Sequence, residues 1–188
     1  EMCIRDSYLP PHLGEEIPDA NSTHAQEALQ RAKQRIERLT TIKGDNPHGP
    51  EYYHRQLGEI LYFSCGVSRN VKDMKDGIEK IRALRKDFWA NVHIPGGTEE
   101  MNQTLEYATR VADYLDLGEL MCVDALDRDE SCGAHYRDDH LSEDGEAERD
   151  DDNWCFVSAW EPNGENKFIR HSEPLYFDRI PLMTRNYK

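Results

Sequence analysis

The sequence predicts a mainly α protein: an antiparallel, spectrin-repeat-like helical bundle, followed by an irregular loop and a small C-terminal β-hairpin extension. Three observations predict it. Apolar residues recur at three- and four-residue spacing through four successive stretches between Thr23 and Cys122. Breakers separate those stretches, at Gly44 to Pro50, at Gly66 and at Pro95-Gly96-Gly97. Beyond Glu130 the helical period stops, and from Trp154 a short aromatic-rich run is followed by an Asn-Gly turn signal. The expected organisation is a lead-in segment over 1–20, a bundle over 21–128 and a loop with β extension over 129–188.

Taken in order, the opening EMCIRDS has none of the charged, apolar and small-residue sequence of a signal peptide. It reads as foreign to the protein, like translated sequencing adapter. From Tyr8 to Ala20 the density of breakers (Pro10, Pro11, Gly14 and Pro18) argues against a regular element. Asn21-Ser22-Thr23 then offers an N-cap, with Gln26 placed for a capping box on Thr23, and Ala25, Leu29, Ala32, Ile36 and Leu39 form an apolar stripe ending near Gly44. A second helix is expected from Glu51 to about Cys65, with Tyr53, Leu57, Ile60, Leu61 and Ser64 near one face. Asn70 caps a long third helix through Met74, Ile78, Ile81, Phe88 and Val92. Asn102 begins a fourth through Leu105, Ala108, Ala112, Leu115 and Cys122, in which Gly118 costs about 1 kcal/mol relative to Ala and small residues permit close helix approach. Ile36, Leu57, Ile81, Phe88 and Leu115 are the expected core.

Trp154 to Trp160 reads as a strand covered on both faces, Pro162-Asn163-Gly164 as a primed hairpin turn, and Lys167 to His171 as the returning strand. Leu175, Phe177, Ile180 and Leu182 suggest a further extended piece before the basic end Arg185-Asn186-Tyr187-Lys188.

Bulk properties exclude several function classes. A formal charge of −14, from 23 basic and 37 acidic residues, repels a phosphate backbone, whose binding runs on clustered Lys and Arg. No nucleic-acid partner is expected. The longest apolar runs, such as Ile60 to Phe63, fall far short of the roughly 20 residues of a membrane span. Cys3, Cys65, Cys122, Cys132 and Cys155 never form a C-x-x-C pair, so neither a disulfide framework nor a redox pair is suggested, and a reducing compartment fits best.

The stretch Glu130 to Trp154 concentrates the chemistry-bearing residues. Cys132, His135, His140 and Cys155 invite a zinc reading, but their spacing fits no common zinc pattern. The acidic run from Glu143 to Asp152 lacks the alternating ligands of a calcium loop. Cys132 with His135 as base resembles a nucleophile pair, although three positions along a loop do not by themselves place thiol against imidazole. Arg137 and Arg149, among many carboxylates, are expected to be paired structurally. No Gly-rich nucleotide-binding motif is present in the sequence.

DALDRDESCGAHYRDDH, then GEAERDDDNW and a terminal RNYK, resemble the C-terminal part of the flavoprotein subunit of succinate dehydrogenase and fumarate reductase. LTTIKGDN, LGEILYFSCGVSRN and ATRVADYLDLGEL resemble its helical region. The resemblance runs from about Tyr8 to Lys188. Cys132 stands where the commoner branch has arginine, and the longer acidic insert resembles the bacterial branch with a single haem-bearing cytochrome b partner.

That resemblance implies an oxidoreductase of the tricarboxylic acid cycle, interconverting succinate and fumarate and exchanging electrons with a membrane quinone. In the family FAD, its histidyl linkage, the substrate-binding histidines and the arginine proton donor sit on earlier domains, and no position here matches them. The chain is therefore expected to be a fragment lacking the flavin domain, inactive alone, with no catalytic, cofactor-binding or metal residue of its own. Glu130, Cys132, Gly133, His135, Tyr136, Arg137, Arg149 and Trp154 are read as a loop docking on the flavin domain of the same subunit, with Arg137 serving that contact more than the local fold. The implied partners are the iron–sulfur subunit and, indirectly, the membrane cytochrome b subunit, at the cytoplasmic face of the bacterial inner membrane. An L-aspartate oxidase-type flavoprotein domain and a stand-alone helical interaction module are the alternatives.

Overall fold

The structure, a computed structural model, describes residues 8–16, 19–98 and 101–183. EMCIRDS and the basic end at 185–188 lie outside the described residues. Four helices form the body: α1 (Thr23–Thr41), α2 (Pro50–Ser64), α3 (Val71–Asn91) and α4 (Gln103–Asp127). An irregular loop and one helical turn, α5 (Asp151–Trp154), lead to an antiparallel hairpin of β1 (Phe156–Pro162) and β2 (Phe168–Pro174). Residues 8–12 are also helical, against expectation. Proline is tolerated in a first helical turn, where no partner exists for its missing N–H, so Pro10 and Pro11 do not forbid so short a piece.

Local chemistry sets the helix starts. Asn70 Oδ1 accepts from Asp73 N at 2.9 Å and Asn102 Oδ1 accepts from Leu105 N at 3.0 Å, each satisfying an otherwise orphaned first-turn donor. Pro50 opens α2 at the position where its lack of an N–H costs nothing. Ser22 caps α1 by accepting from Ala25 N at 3.4 Å. The capping box on Thr23 does not form, because Gln26 Nε2 donates instead to the Ala20 carbonyl at 2.9 Å. The helix ends at Thr41, short of Gly44.

α2, α3 and α4 enclose the core. Leu57, Ile81, Phe88 and Leu115 are buried as expected, with Tyr53, Met74, Ile78, Val111 and Cys122 among them. Tyr53 meets Phe88 edge to face at 5.2 Å. Ile36 departs from expectation: it is 40% exposed, and in α1 only Leu39 is buried. α1 is held largely by polar and cation–π contacts, Arg35 Nη2 donating to the Thr109 carbonyl at 2.9 Å and to Asp113 at 2.6 Å, and the Arg38 guanidinium lying 4.1 Å over Trp89. Its apolar stripe has the right period, but along most of its length no element faces it among the described residues.

The hairpin pairs Phe156 with Pro174 and Pro162 with Phe168. Three details differ from expectation. Trp154 belongs to α5, whose N-cap Asp150 accepts from Asn153 N, so the strand starts two residues later. β1 is covered on one face only, Phe156, Ser158 and Trp160 half-buried and Val157 and Ala159 exposed. The connection is a five-residue loop closed by Asn163 N donating to the Lys167 carbonyl, with Gly164 and Asn166, not Asn163, at positive φ. Leu175, Phe177, Ile180 and Leu182 form no strand and stay exposed, for no third strand or helix covers them among the described residues.

Two glycines set how closely the helices approach. A Cβ on Gly77 would collide with the Cβ and Oγ of Ser64, atoms fixed to the backbone of α2. A Cβ on Gly118 would stand 3.0 Å from Leu57 Cδ1, the end of a flexible side chain. Gly77→Ala is therefore expected to destabilise the chain by about 1–3 kcal/mol through overpacking. Gly118→Ala should be close to neutral, the contact being offset by up to ~1 kcal/mol of helix propensity. Urea denaturation of the two variants checks the ordering.

Candidate functional site

The segment between α4 and α5 contains no regular helix or strand, only isolated bridges, and charge holds it in shape. It is anchored first to the start of α3. Arg69 N donates to the Tyr136 carbonyl at 3.0 Å and Asp138 N to the Arg69 carbonyl at 2.9 Å, pairing residue 69 with residue 137 as a parallel bridge. Arg137 then points inward and is fully buried. Its Nε and Nη2 bind the two oxygens of Asp139 at 2.6 and 3.0 Å, and Nη1 donates to the Arg128 carbonyl at 3.2 Å. Asp139 also accepts from Val71 N, the first residue of α3, at 3.1 Å. A carboxylate at a helix N-terminus receives the orphan N–H and the favourable end of the helix dipole.

These contacts hold the Asp139 carboxyl far below the ordinary carboxylate range, the Arg137 hydrogen bonds being the largest cause, and they raise Arg137 in turn. Around them Ser131 Oγ accepts from Arg137 N at 2.8 Å. Glu130, buried, receives Arg128 at 2.8 Å on one oxygen and Asp150 N at 2.9 Å on the other. Arg149 binds Asp151 through two nitrogens. Trp154 lies beside Phe156, with Arg170 over both rings at 5.4 and 5.0 Å.

Cys132 and His135 exchange main-chain hydrogen bonds across a two-residue turn, with Gly133 at φ +59°. The His135 ring is fully engaged elsewhere: Nδ1 lies 2.9 Å from Arg69 Nη1 and Nε2 lies 2.9 Å from the Arg128 carbonyl. Because a guanidinium can only donate, Nδ1 accepts and Nε2 carries the proton. Burial, then the neighbouring Arg69, Arg137 and Arg128 cations, lower its pKa. A neutral imidazole with its lone pair already taken cannot serve as base for Cys132. Among the described residues no three His, Cys, Asp or Glu gather as a metal-binding group.

Arg137 is buried inside this chain and paired with Asp139, so its side chain is engaged in the local fold. The structure brings Glu130, His135 and Arg137 into one network, while Gly133 and Ala134 stand exposed at its tip, Cys132 and Tyr136 are half-buried, and Arg149 and Trp154 belong to the adjoining turn. Sequence reasoning missed Arg69, Arg128 and Asp139. Asp139 left one signal, an acid beside the Arg137 it neutralises.

Bundle, loop and hairpin define a helical scaffold domain whose buried charges are engaged with one another. The chain belongs to the family described as the fumarate reductase flavoprotein C-terminal domain, whose model matches residues 54–187. It is 25% identical over 155 residues to the fumarate reductase flavoprotein subunit of Haemophilus influenzae, covering 82% of this chain and 25% of that protein. With the same subunit of Proteus vulgaris it shares 29% over 152 residues, 80% of this chain and 24% of the relative. The chain thus spans about a quarter of the length of these curated relatives. A solved quinol fumarate reductase from Escherichia coli superposes with a TM-score of 0.73 at 24% identity, over 87% of this chain and 27% of that one, a likeness of fold.

Removing Arg137 empties a fully buried position and takes the bidentate partner from Asp139, which keeps Val71 N, while the Arg128 carbonyl keeps His135 Nε2, so Arg137→Ala is expected to cost about 3–5 kcal/mol in thermal or urea unfolding. Asp139 has a depressed folded pKa, so its contribution is complete above the ordinary carboxylate value of about 3.9 and is lost as pH falls below it. His135, also depressed, contributes stability that declines as pH falls below about 6.5. Stability measured against pH should therefore fall on the acid side in two stages. Asp139→Asn should flatten the lower stage alone, and NMR titration of His135 should show a midpoint below that of a free imidazole.

Proposed function

We propose that this chain forms the C-terminal helical portion of a flavoprotein subunit that interconverts succinate and fumarate, and that its loop at Cys132–Tyr136 packs on the subunit's flavin domain. The single observation that carries the reading is the family match over residues 54–187, together with relatives of which the chain spans about a quarter. FAD belongs, on this reading, to the part of the subunit outside this chain. In support, Arg82, Arg85, Arg137 and Arg149 are each held by carboxylates, and both nitrogens of His135 are engaged.

Electrons would pass between the flavin, an iron–sulfur subunit and a membrane cytochrome b that handles quinone. No helix among the described residues is long and apolar enough to cross a membrane. Attachment at the cytoplasmic face of the inner membrane is accordingly assigned to those partners. Docking is assigned to the exposed tip of the loop, since Arg137 beneath it is occupied within the chain.

The isolated chain should be colourless and unable to pass electrons from succinate to a dye, whereas the complete subunit containing it should be flavin-bearing and active. A yellow, active isolated chain overturns the reading. Ala134→Asp, at an exposed position, should change the isolated chain's stability by no more than about 0.5 kcal/mol. In the complete subunit it should lower both melting temperature and succinate oxidation. No effect in the complete subunit would remove the docking role and leave the family membership standing.

A further inference from the structure

Two thiols that the sequence separates come together in the bundle. Cys65 caps the C-terminal end of α2 and Cys122 lies on α4; both are buried, at 7% and 0% exposure. Cys65 Sγ lies 3.7 Å from the carbonyl of Met121, the residue next to Cys122, and each thiol shifts the ionisation of the other. The packing around them is close: a Cβ on Gly77 would stand 3.9 Å from Cys122 Sγ. Met121, whose backbone meets Cys65, is 46% exposed, so the pair sits just under the surface.

The two thiols are not equivalent. Cys65 as a thiol donates to the Met121 carbonyl, and Arg69, whose Nε donates to the carbonyl of the next residue, Gly66, at 3.0 Å, brings a cation to this end of α2. The hydrogen bond from Cys122, then Arg69, favour ionisation of Cys65 against the effect of burial, while Cys122 is held protonated by the same hydrogen bond and by burial. That order, with Cys65 also the less deeply buried of the two, suits Cys65 to attack first and Cys122 to resolve.

We propose that Cys65 and Cys122 form a peroxide-sensitive thiol pair that closes to a disulfide between the end of α2 and α4. The Cys65 thiolate attacks a peroxide oxygen, breaking the O–O bond and giving a sulfenic acid and hydroxide. Cys122 then attacks the sulfenic sulfur, losing its thiol proton as the S–O bond breaks and water leaves. Two thiols are oxidised and one hydrogen peroxide is reduced. Arg69, beside the pair, also bonds His135, so loss of the thiolate charge is felt at the base of the loop.

The test treats the full chain with hydrogen peroxide, alkylates remaining thiols and maps disulfides by mass spectrometry. A Cys65–Cys122 cross-link reversible by dithiothreitol is expected, with Cys132 and Cys155 still alkylated. In Cys122→Ser a dimedone adduct should accumulate on Cys65, and Cys65→Ser should give neither product. Because either serine could perturb the core, the unsubstituted chain decides: absence of the Cys65–Cys122 cross-link, or its appearance only after Cys132 and Cys155 are consumed, overturns the proposal.

Discussion

A guanidinium with no exposed surface is the constraint on which the C-terminal third depends. Arg137 cannot lose its charge and cannot reach water, so the chain around it must supply acceptors on every side. Asp139 supplies two, the Arg128 carbonyl a third and Asp129 a more distant charge at 3.4 Å. Each acceptor is held in turn: Asp139 by the start of α3, Arg128 by the end of α4 and by Glu130, and Ser131 by the Arg137 backbone itself. The loop keeps a single shape without regular secondary structure because alternative arrangements strand a buried charge.

The same economy recurs on the other side of α4. Glu119, buried mid-helix, lies 2.7 Å from Arg82 and 2.5 Å from Arg85 on α3. The two arginines reach onward to Asn166 in the hairpin loop. Trp160 Nε1 donates to Asp124 at 2.7 Å and Arg170 pairs with Asp127, so the hairpin is tied to the last turn of α4. A chain of formal charge −14 thus uses much of its positive charge to join its own elements, which is consistent with a scaffold.

What was legible in the sequence followed from periodicity meeting a partner. In α2, α3 and α4 the apolar stripe and the packing face coincide, so Leu57, Ile81, Phe88 and Leu115 fall where the spacing puts them. Ile36 obeys the same period but stays 40% exposed, and no single-helix pattern can report whether a partner covers it. The loop was legible as a motif and opaque as a structure, because its geometry depends on Arg69 meeting His135 across 66 positions. Cys65 and Cys122 escaped notice for the same reason: proximity came from helix packing, not from spacing. In the hairpin the strands were legible, whereas the start of β1 was displaced by a cap on Asp150 that outweighed the aromatic run beginning at Trp154.

The ties between α3 and the hairpin loop span 84 and 81 positions, while each helix closes bonds over four. Loop-closure entropy must be met before such distant contacts give any return. The hairpin can dock only onto an α3–α4 pair that already stands, since Asn166 needs Arg82 and Arg85 held in place by Glu119. Seating of the hairpin loop is therefore coupled to the packing of α3 on α4, through the two arginines that Glu119 holds.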